Sequence, residues 1–392
     1  MRGRRVAVTG LGVVAACGIG AEDFFGGLCA PAPVGERRIT DFDAKAYFAN
    51  PKEARRADRF TQFAVAAALE ALDQSGEPTA DPTRRGTIIG TGVGGITTLE
   101  EQIERRLQMG SRRVSPFLVP MMMANAAAAT LSMRFGWQGP CENVATACAA
   151  GTHAIGNAAR LVADGRCDIM LAGGSEAPMT PTATAGFGNM TALSSSGISR
   201  PFDLRRDGFV MTEGAAVLVL EEWDTALARG ATILAEVLGS ASSADAHHIT
   251  APAPGGGGAA HCMQLALEDA GLEPTDVVHI NAHGTSTDLN DAAEAEAISK
   301  VFGTSPGPIV TSTKGVTGHG LGAAGALEAA AVVLAMREGV IPPTAGLEQR
   351  DPELPAIDLV QGEPRRWKPG PSLSNSFGFG GHNGTLVIAP GS

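Results

Sequence analysis

Runs rich in β-branched residues alternate with alanine-rich helical stretches along the whole chain, and this alternation limits the possible folds more than any other feature. The strand-like runs are RRVAVTG (4–10), GTIIGTG (86–92), CDIMLAGG (167–174), AAVLVLEE (215–222), DVVHINAHG (276–284) and GPIVTSTKG (307–315). The helical stretches are FTQFAVAAALEALDQSG (60–76), AAGTHAIGNAARLVADG (149–165), AAEAEAISKVFG (292–303) and GAAGALEAAAVVLAMREG (322–339). Such an alternation predicts an α/β fold with largely buried sheets.

The chain length fits one large fold built from two similar halves. Its 392 residues are enough for two or three average domains or for such a double fold. A seam is predicted in ARGATILAEVLGSASSADAHH (228–248), and each side of it has its own strand–turn–helix units. We therefore expect an N-terminal half, residues 1–235, and a C-terminal half, residues 236–392, related by an old duplication.

Composition narrows the class of protein. Hydrophobic residues make up 44% of the chain and charged residues 18%, which favours a packed globular core. The formal net charge of −11 argues against nucleic acid as the main partner. The six cysteines lack a paired spacing and are interpreted as reduced thiols, and no run of about 18 apolar residues predicts a membrane span.

The N-terminus allows two interpretations. MRGRR followed by VAVTGLGVVAAC (6–17) resembles a basic region and a short apolar stretch that ends at a lipoprotein-type Cys17. Thr9, Gly10 and Gly12 interrupt that stretch, and this favours a first β-strand running into a glycine turn. We expect a cytoplasmic protein with no membrane association.

Two glycine motifs suggest a nucleotide cofactor. VAVTGLGVVA (6–15) contains G-x-G-x-x-A, and GTIIGTGVGG (86–95) contains G-x-G-x-x-G. A dinucleotide site also needs an acidic residue at the end of a second strand about 20 residues on. Asp41 and Asp43 lie instead in the irregular segment ITDFDAKAYF (39–48). Neither motif therefore predicts nicotinamide or flavin binding.

Histidine pairs suggest a metal site only weakly. His279 and His283 are four residues apart, but VVHINAHG (277–284) has the pattern of a strand, and the carboxylates nearby follow a turn. His247 and His248 are adjacent and lack an obvious third ligand. We expect no metal site.

A cysteine at the start of a predicted helix is a stronger signal. Cys148 follows a strand-like segment and precedes a helix rich in small residues. The positive end of a helix dipole favours the thiolate, and small neighbours allow a substrate to approach closely. His283 is predicted at a strand end, and His319 at a turn into another helix, with Lys314 and Glu328 nearby in the sequence.

Four segments carry a family resemblance. TACAAG (146–151), HGTST (283–287), TKGVTGHGLGAAGA (313–326) and NSFGFGGHNG (375–384) occur in this order. With them the chain resembles, over essentially its whole length, the elongating β-ketoacyl-acyl-carrier-protein synthases, type II, of the thiolase superfamily. The resemblance implies a duplicated α/β/α/β/α layered fold and a homodimer paired through an edge strand, expected near CDIMLAGG (167–174).

The resemblance also implies roles for single residues. Cys148 would accept the acyl group, and His283 and His319 would complete a Cys-His-His set. The other implied residues are the supporting charged groups Lys314, Glu328 and Asp291, the gate residue Phe379, the substrate-binding residues Thr285, Thr287 and Thr250, and Val93 at the floor of the acyl pocket. Backbone N–H groups of Cys148 and Phe379 would form the oxyanion hole.

The implied reaction is a decarboxylative Claisen condensation. A thiolate takes an acyl group from a thioester, and malonyl-acyl-carrier protein then loses CO2 to give the enolate that extends the chain by two carbons. Such an acyltransferase needs no cofactor or metal, because the substrates are carried on the phosphopantetheine of acyl-carrier protein. Fatty-acid and polyketide assembly both remain open. The alternative is a noncatalytic chain-length partner of a heterodimeric synthase, but such partners typically lack the cysteine.

Two surface features concern the carrier protein. A basic docking surface is predicted from Lys52, Arg55, Arg56, Arg59, Arg112 and Arg113, although Thr191 replaces an arginine that the family uses for docking. The chain also departs from the family after HGTST, where Asp288 replaces the usual proline. Its carboxylate could cap the following helix or place a charge at the substrate entrance.

Overall fold

The computed structural model describes residues 1, 3–76, 78–304 and 307–391, and most of its strands join in one large mixed sheet. The strands of the first half are β1 (Val6–Ala15), β2 (Gly18–Ile19), β3 (Arg85–Gly90), β4 (Cys141–Val144), β5 (Ile169–Glu176) and β6 (Gly214–Glu222). Those of the second half are β7 (Ala235–Ala244), β8 (His279–Asn281), β9 (Ile309–Thr311), β10 (Val340–Ile341), β11 (Asp358–Leu359), β12 (Arg365–Arg366), β13 (Ser372–Gly378) and β14 (His382–Pro390).

Helices follow most strands, as the sequence predicts. In the first half they are α1 (Ala21–Leu28), α2 (Pro51–Ala54), α3 (Arg59–Ser75), α4 (Ile96–Met109), α5 (Leu118–Met122), α6 (Ala126–Phe135), α7 (Ala150–Ala163), α8 (Pro181–Asn189) and α9 (Trp223–Ala228). In the second half they are α10 (Gly257–Ala270), α11 (Asp288–Phe302), α12 (Lys314–Thr317) and α13 (Ala324–Glu338). All six predicted strands and all four predicted helices are confirmed.

The two halves repeat one strand topology. In the first half, β1 pairs with β6 and β6 with β5 antiparallel, while β5 with β3 and β3 with β4 are parallel. In the second half, β7, β14, β13, β8 and β9 are paired in the same order and the same directions. A short ladder between β1 and β7 joins the halves. This repetition supports the predicted duplication, while the exact boundary at residue 235 stays a prediction.

Five layers result from this arrangement. Helices α7 and α13 pack against each other and against both halves of the sheet, in a core that also contains residues of β1, β5, β6 and β14. Helix α3 covers the outer face of the first half, and α10 and α11 cover that of the second. Helix α13 is buried through almost its entire length, as its continuous apolar sequence requires. The α/β/α/β/α prediction is confirmed.

Glycines of both motifs lie where helices pack directly on the sheet. Gly10 and Gly12 lie inside strand β1, where an added Cβ would be 2.0 Å from the carbonyl oxygens of Ala71 and Ala67 in α3. An added Cβ at Gly90, the last residue of β3, would be 2.3 Å from a carbonyl oxygen of α7. A contact that close excludes any side chain, so these glycines let helices lie directly on the sheet.

The predicted edge strand is wrong. Strand β5, which contains most of CDIMLAGG, lies between β3 and β6 and is buried along its whole length. The free edge of the first half is β4, which pairs on one side only and exposes Cys141 and Glu142. The edge was expected there only from the family resemblance, whereas the continuous apolar sequence of this segment is typical of a strand covered on both faces.

Within the described part of the chain, no helix is both long and apolar enough to cross a membrane. The segment that resembles a lipoprotein signal forms the buried strand β1. All six cysteines are unpaired. The cytoplasmic location stays a prediction.

Candidate active site

Three loops at the carboxyl ends of sheet strands bring together Cys148, His283 and His319. Cys148 follows β4, His283 follows β8, and His319 lies between β9 and α13. Because parallel strands place their carboxyl ends at one side of a sheet, loops from both halves meet there. All three side chains are buried, and a ligand atom of each lies within 4.8 Å of the others. The predicted set is therefore assembled across the two halves.

A strained turn presents the Cys148 thiol. Ala147 has φ 50°, which only a tight turn imposes on a residue with a Cβ, and α7 begins at Ala150. Burial raises the pKa of Cys148 to about 11, partly offset by the backbone N–H of Phe379 and by Lys314. This shift is opposite in direction to the lowering that the sequence prediction expected at a helix N-terminus, and it favours the thiol over the thiolate.

His319 is the residue to which the Cys148 proton can move. Its Nε2 lies 3.1 Å from the Cys148 Sγ, and the ring of Phe209 packs edge-on against it at 5.1 Å. Burial and the nearby Lys314 charge hold the pKa of His319 well below its usual value. A neutral imidazole nitrogen can accept the thiol proton, so this contact can generate the nucleophile when a substrate arrives.

Lys314 fixes the tautomer of His283. The Lys314 Nζ is 3.2 Å from His283 Nδ1 and donates to the His283 carbonyl oxygen at 2.6 Å. An ammonium group can only donate, so Nδ1 accepts and the proton of the neutral ring is on Nε2. Burial, Lys314 and His319 all lower the pKa of His283. His283 therefore offers an N–H donor on the side of the ring away from Lys314.

Glu328 balances the buried Lys314 charge. The two side chains form an ion pair, and their exposed fractions are only 1% and 2%. Burial raises the pKa of the Glu328 carboxyl, and the Lys314 charge opposes that rise. The pair brings a residue of α13 onto the loop that carries His319, so the predicted supporting residues meet as expected.

Two carboxylates on α11 hold the loop after β8. The predicted Asp291 accepts the backbone N–H of Phe202 at 2.8 Å and that of Ser286 at 3.2 Å. Phe202 and Ser286 have φ 63° and 69°, so these bonds stabilise two unfavourable backbone conformations. Glu294, one turn along, accepts the N–H groups of His283 and Gly284 at 2.8 and 2.7 Å. Sequence reasoning missed Glu294, although its i,i+3 spacing from Asp291 was a usable signal.

A second missed carboxylate is Glu176 at the end of β5. It is fully buried and accepts from the Thr91 hydroxyl and from the N–H groups of Gly92 and Gly322, at distances of 2.5–3.0 Å. Burial raises its pKa to about 7. It joins the loop after β3 to the loop after His319. A single glutamate at the end of a glycine-rich strand has no sequence pattern that would predict this role.

A cavity of about 310 Å³ opens onto the three residues. Thr285, Thr287, Thr250 and Phe379 line it, as predicted, and the hydroxyls of Thr285 and Thr287 are 2.9 Å apart. Its apolar wall includes Phe187, Met190, Phe209, Leu321 and Phe377. Such a cavity suits an extended, largely apolar substrate with a few polar groups.

Two of the predicted binding residues lie elsewhere. Val93 does not line this cavity and is 44% exposed, so the structure does not bring it to the pocket of Cys148. Arg59, predicted for the docking surface, forms a bidentate pair with the buried Glu213 and is a structural residue. Its position at the start of α3, next to the buried Asp58 cap, explains why an arginine in a basic stretch turns inward.

The remaining predicted docking residues are exposed. They are Lys52, Arg55, Arg56, Arg112 and Arg113. The Arg56 guanidinium lies 4.3 Å from the ring centroid of Phe117, which joins the segment around α2 to the one that follows α4. We call these five residues the arginine surface.

The cysteine and the two histidines also have a spacing that a soft metal ion could bridge. The ammonium of Lys314 stands against that reading. It lies 3.2 Å from one ring nitrogen of His283 and would repel a second cation in a buried site.

Removing one partner of the buried pair should cost more than removing both. Lys314→Met leaves Glu328 buried without a cation, and we expect a loss of about 3–5 kcal/mol in the free energy of unfolding. Lys314→Met combined with Glu328→Met should recover most of that loss. Urea unfolding followed by circular dichroism measures both values. Lys300→Met breaks the exposed pair with Glu296 and should cost less than about 1 kcal/mol. Equal losses in the single and double variants would contradict the pair's role.

Comparison with known proteins agrees with this geometry. Residues 32–226 match the family model described as "Beta-ketoacyl synthase, N-terminal domain", and residues 234–348 match "Beta-ketoacyl synthase, C-terminal domain". The chain is 46% identical to 3-oxoacyl-(acyl-carrier-protein) synthase 2 of Synechocystis sp., over 98% of both chains. It is 43% identical to the protein of the same name from Coxiella burnetii, over 99% of both chains.

Solved structures show the same fold. One described as "The ishigamide ketosynthase/chain length factor" aligns with a TM-score of 0.92 and 34% identity over 100% of both chains. A beta-ketoacyl synthase from Burkholderia phymatum aligns with a TM-score of 0.91 and 34% identity, over 99% of this chain and 100% of the other. Family models matched in both halves, and relatives this similar over nearly full length, show that the chain belongs to the beta-ketoacyl synthase family.

Proposed function

We propose that the protein condenses an acyl group on Cys148 with malonyl-acyl-carrier protein, extending a fatty-acid or polyketide chain by two carbons. The observation that carries this proposal is the placement of the Cys148 thiol, 3.1 Å from His319 Nε2 and within reach of the Phe379 N–H. A nucleophile, a proton acceptor and an oxyanion donor thus converge on one point. The noncatalytic alternative gives no reason for the buried thiol to keep this environment.

The first half-reaction transfers the acyl group. Cys148 loses its proton to His319 and attacks the thioester carbonyl, and the carrier thiol leaves with a proton as the new thioester forms. The negative charge on the carbonyl oxygen would be stabilised by the N–H groups of Cys148 and Phe379. These donors are fixed by the turn at Ala147 and by the turn between β13 and β14, so they need no reorganisation during the reaction.

The second half-reaction uses the neutral ring of His283. Malonyl thioester loses CO2, and the electron pair of the broken C–C bond passes to the thioester as an enolate. The N–H of His283 Nε2 would stabilise the enolate oxygen, because Lys314 keeps that proton on Nε2. The enolate carbon then attacks the acyl-Cys148 carbonyl, and the Cys148 sulfur leaves. Carboxylate loss supplies the electrons, so we propose that no cofactor or metal takes part.

Acyl-carrier protein is the proposed partner. One solved relative is described as a type II PKS acyl-carrier protein in complex with its ketosynthase, and it aligns with a TM-score of 0.91 and 32% identity over 100% of both chains. The arginine surface offers positive charge to an acidic carrier. It lies beside α4, whose Glu100 accepts the N–H of Thr182 at the start of α8. Because α8 also lines the cavity, a carrier docked there would be close to the cavity mouth.

We also propose a homodimer paired through the β4 edge. An unpaired edge strand is a template for a second copy, and apolar side chains beside it favour burial. Met133 on α6, which packs against β4, is 76% exposed, and Val119 and Met123 nearby are 58% and 44% exposed. A second copy of the chain, related by a two-fold axis at β4, would bury this face.

Cys148→Ala should abolish acylation while the protein stays folded. Loss of one buried sulfur should change the free energy of unfolding by only about 1 kcal/mol. Intact-mass measurement after incubation with a panel of acyl-carrier proteins shows loading directly. Cys262→Ala, another buried thiol, is the matched control and should load normally. Undiminished acylation of Cys148→Ala would overturn the proposed function.

Reversing charge on the arginine surface should weaken carrier binding. We expect Arg112→Glu with Arg113→Glu to raise the Michaelis constant for acyl-carrier protein by about tenfold, and less at high salt. The constant for a small acyl-pantetheine thioester should not change. Arg366→Glu with Lys368→Glu makes the same charge change at exposed positions of the second half. If both double variants behave alike, the docking surface is misplaced.

Met133→Lys should convert a dimer to a monomer. A buried lysine at the centre of a symmetric interface is repeated on both copies, so its cost counts twice. Sedimentation equilibrium should give twice the chain mass of 39.9 kDa for the unaltered protein and once that mass for the variant. Leu227→Lys, at an exposed position of α9, should remain dimeric. A monomeric unaltered protein would exclude the dimer.

A further inference from the structure

The mouth of the active-site cavity carries carboxylates and no lysine or arginine among the described residues that line it. Asp207 accepts from the hydroxyls of Ser194 and Ser195 at 2.6 and 2.8 Å. Asp245 accepts the N–H of Ala253 and the side-chain amide of Asn383. These two carboxylates are occupied by structural hydrogen bonds. The third carboxylate is Asp288, and it contacts a charged group, Arg206, at 3.5 Å.

Asp288 is not the N-cap of helix α11. Thr287 is the N-cap of α11, and its hydroxyl accepts the N–H of Asn290. Asp288 is the first residue of the helix, with its side chain 75% exposed. Of the two interpretations open from the sequence, the capping role belongs to Thr287, and the charge of Asp288 stands at the cavity mouth.

Behind Asp288 lies a buried guanidinium. The Arg206 side chain is only 6% exposed, and its Nη1 donates to the Asp351 carboxylate at 2.6 Å and to the Asp203 carbonyl at 3.0 Å. Its Nε has no hydrogen-bond partner among the described residues, and the nearest carboxylate oxygen facing it is Asp288 Oδ1 at 3.5 Å. Arg206 is therefore anchored by Asp351 and retains one donor directed toward Asp288.

We propose that Asp288 is a specificity residue. Its carboxylate prevents Arg206 from attracting the phosphate of the phosphopantetheine arm that carries the substrate. The inference rests on the proposed function: Thr285, Thr287 and Asp288 line the cavity that contains Cys148, so the phosphopantetheine arm of the carrier protein would pass beside them. The carboxylates of Asp351 and Asp288 outnumber the single Arg206 guanidinium, so these three groups together carry a net negative charge that repels a phosphate. A free phosphopantetheine thioester therefore binds weakly, whereas a thioester attached to acyl-carrier protein gains affinity from the contact of that protein with the arginine surface. The enzyme thus discriminates against free phosphorylated thioesters such as those of coenzyme A.

Asp288→Asn is the direct test. It removes one negative charge and keeps the shape, so Arg206 keeps Asp351 as its one paired carboxylate and the net negative charge beside it is lost. We expect the Michaelis constant for an acyl-phosphopantetheine thioester to fall about threefold to tenfold, and that for the acyl-pantetheine thioester without phosphate to stay unchanged. Glu296→Gln, a neutralisation two turns further along α11, is the matched control and should alter neither constant. The gain should shrink at about 0.5 M salt.

Adding Arg206→Gln to Asp288→Asn should abolish the gain, since the attracting cation is gone. If that double variant does not fold, as a melting curve would show, the salt dependence of Asp288→Asn decides in its place. Equal changes for both thioesters, or no change, would overturn the inference. Intact-mass measurement of acylation of the unaltered enzyme distinguishes failure of the proposed function from failure of the proposed role of Asp288. Absence of loading would refute the proposed function, whereas normal loading with an unchanged phosphate preference would refute only the role of Asp288.

Discussion

A buried ammonium group organises the chemistry of this protein. Lys314 and Glu328 form a buried ion pair, and the pair in turn orients His283 through the Nδ1 contact. The same charge opposes protonation of both histidines. The site therefore has two neutral imidazoles beside a thiol, an arrangement that donates hydrogen bonds to an oxyanion without releasing protons to a carbanion.

Buried carboxylates give the loops of the site their rigidity. Glu294 accepts the backbone N–H groups of the His283 loop, and Glu176 ties the loop after His319 to the loop after β3. Each acts on backbone groups that no strand or helix satisfies, so each meets the requirement that buried polar groups be paired. The catalytic side chains are thus positioned by two carboxylates, Glu294 and Glu176, that do not themselves line the cavity.

Much of the fold was predictable because it follows from periodicity. The buried strands and long alanine-rich helices have unambiguous patterns, and the four motifs place Cys148, His283 and His319 at turns. The edge strand was misplaced because its predicted position came from the family resemblance, although β5 is continuously apolar and the more polar β4 lies at the edge. Arg59 and Glu294 show the same limit: whether a charged residue faces solvent or pairs inside depends on partners far away in sequence, such as Glu213 for Arg59.

The glycines under the helices bear on how such an enzyme can diversify. Gly10, Gly12 and Gly90 lie where even one extra carbon would collide with a helix backbone, so no other residue fits at these positions. The cavity mouth, in contrast, is built from side chains on loops and helix starts, and Asp288 can be exchanged without moving the backbone. A change of substrate range on this scaffold is therefore expected from substitutions at the rim, because substitutions at the glycines beneath the helices would disrupt the packing of the layers.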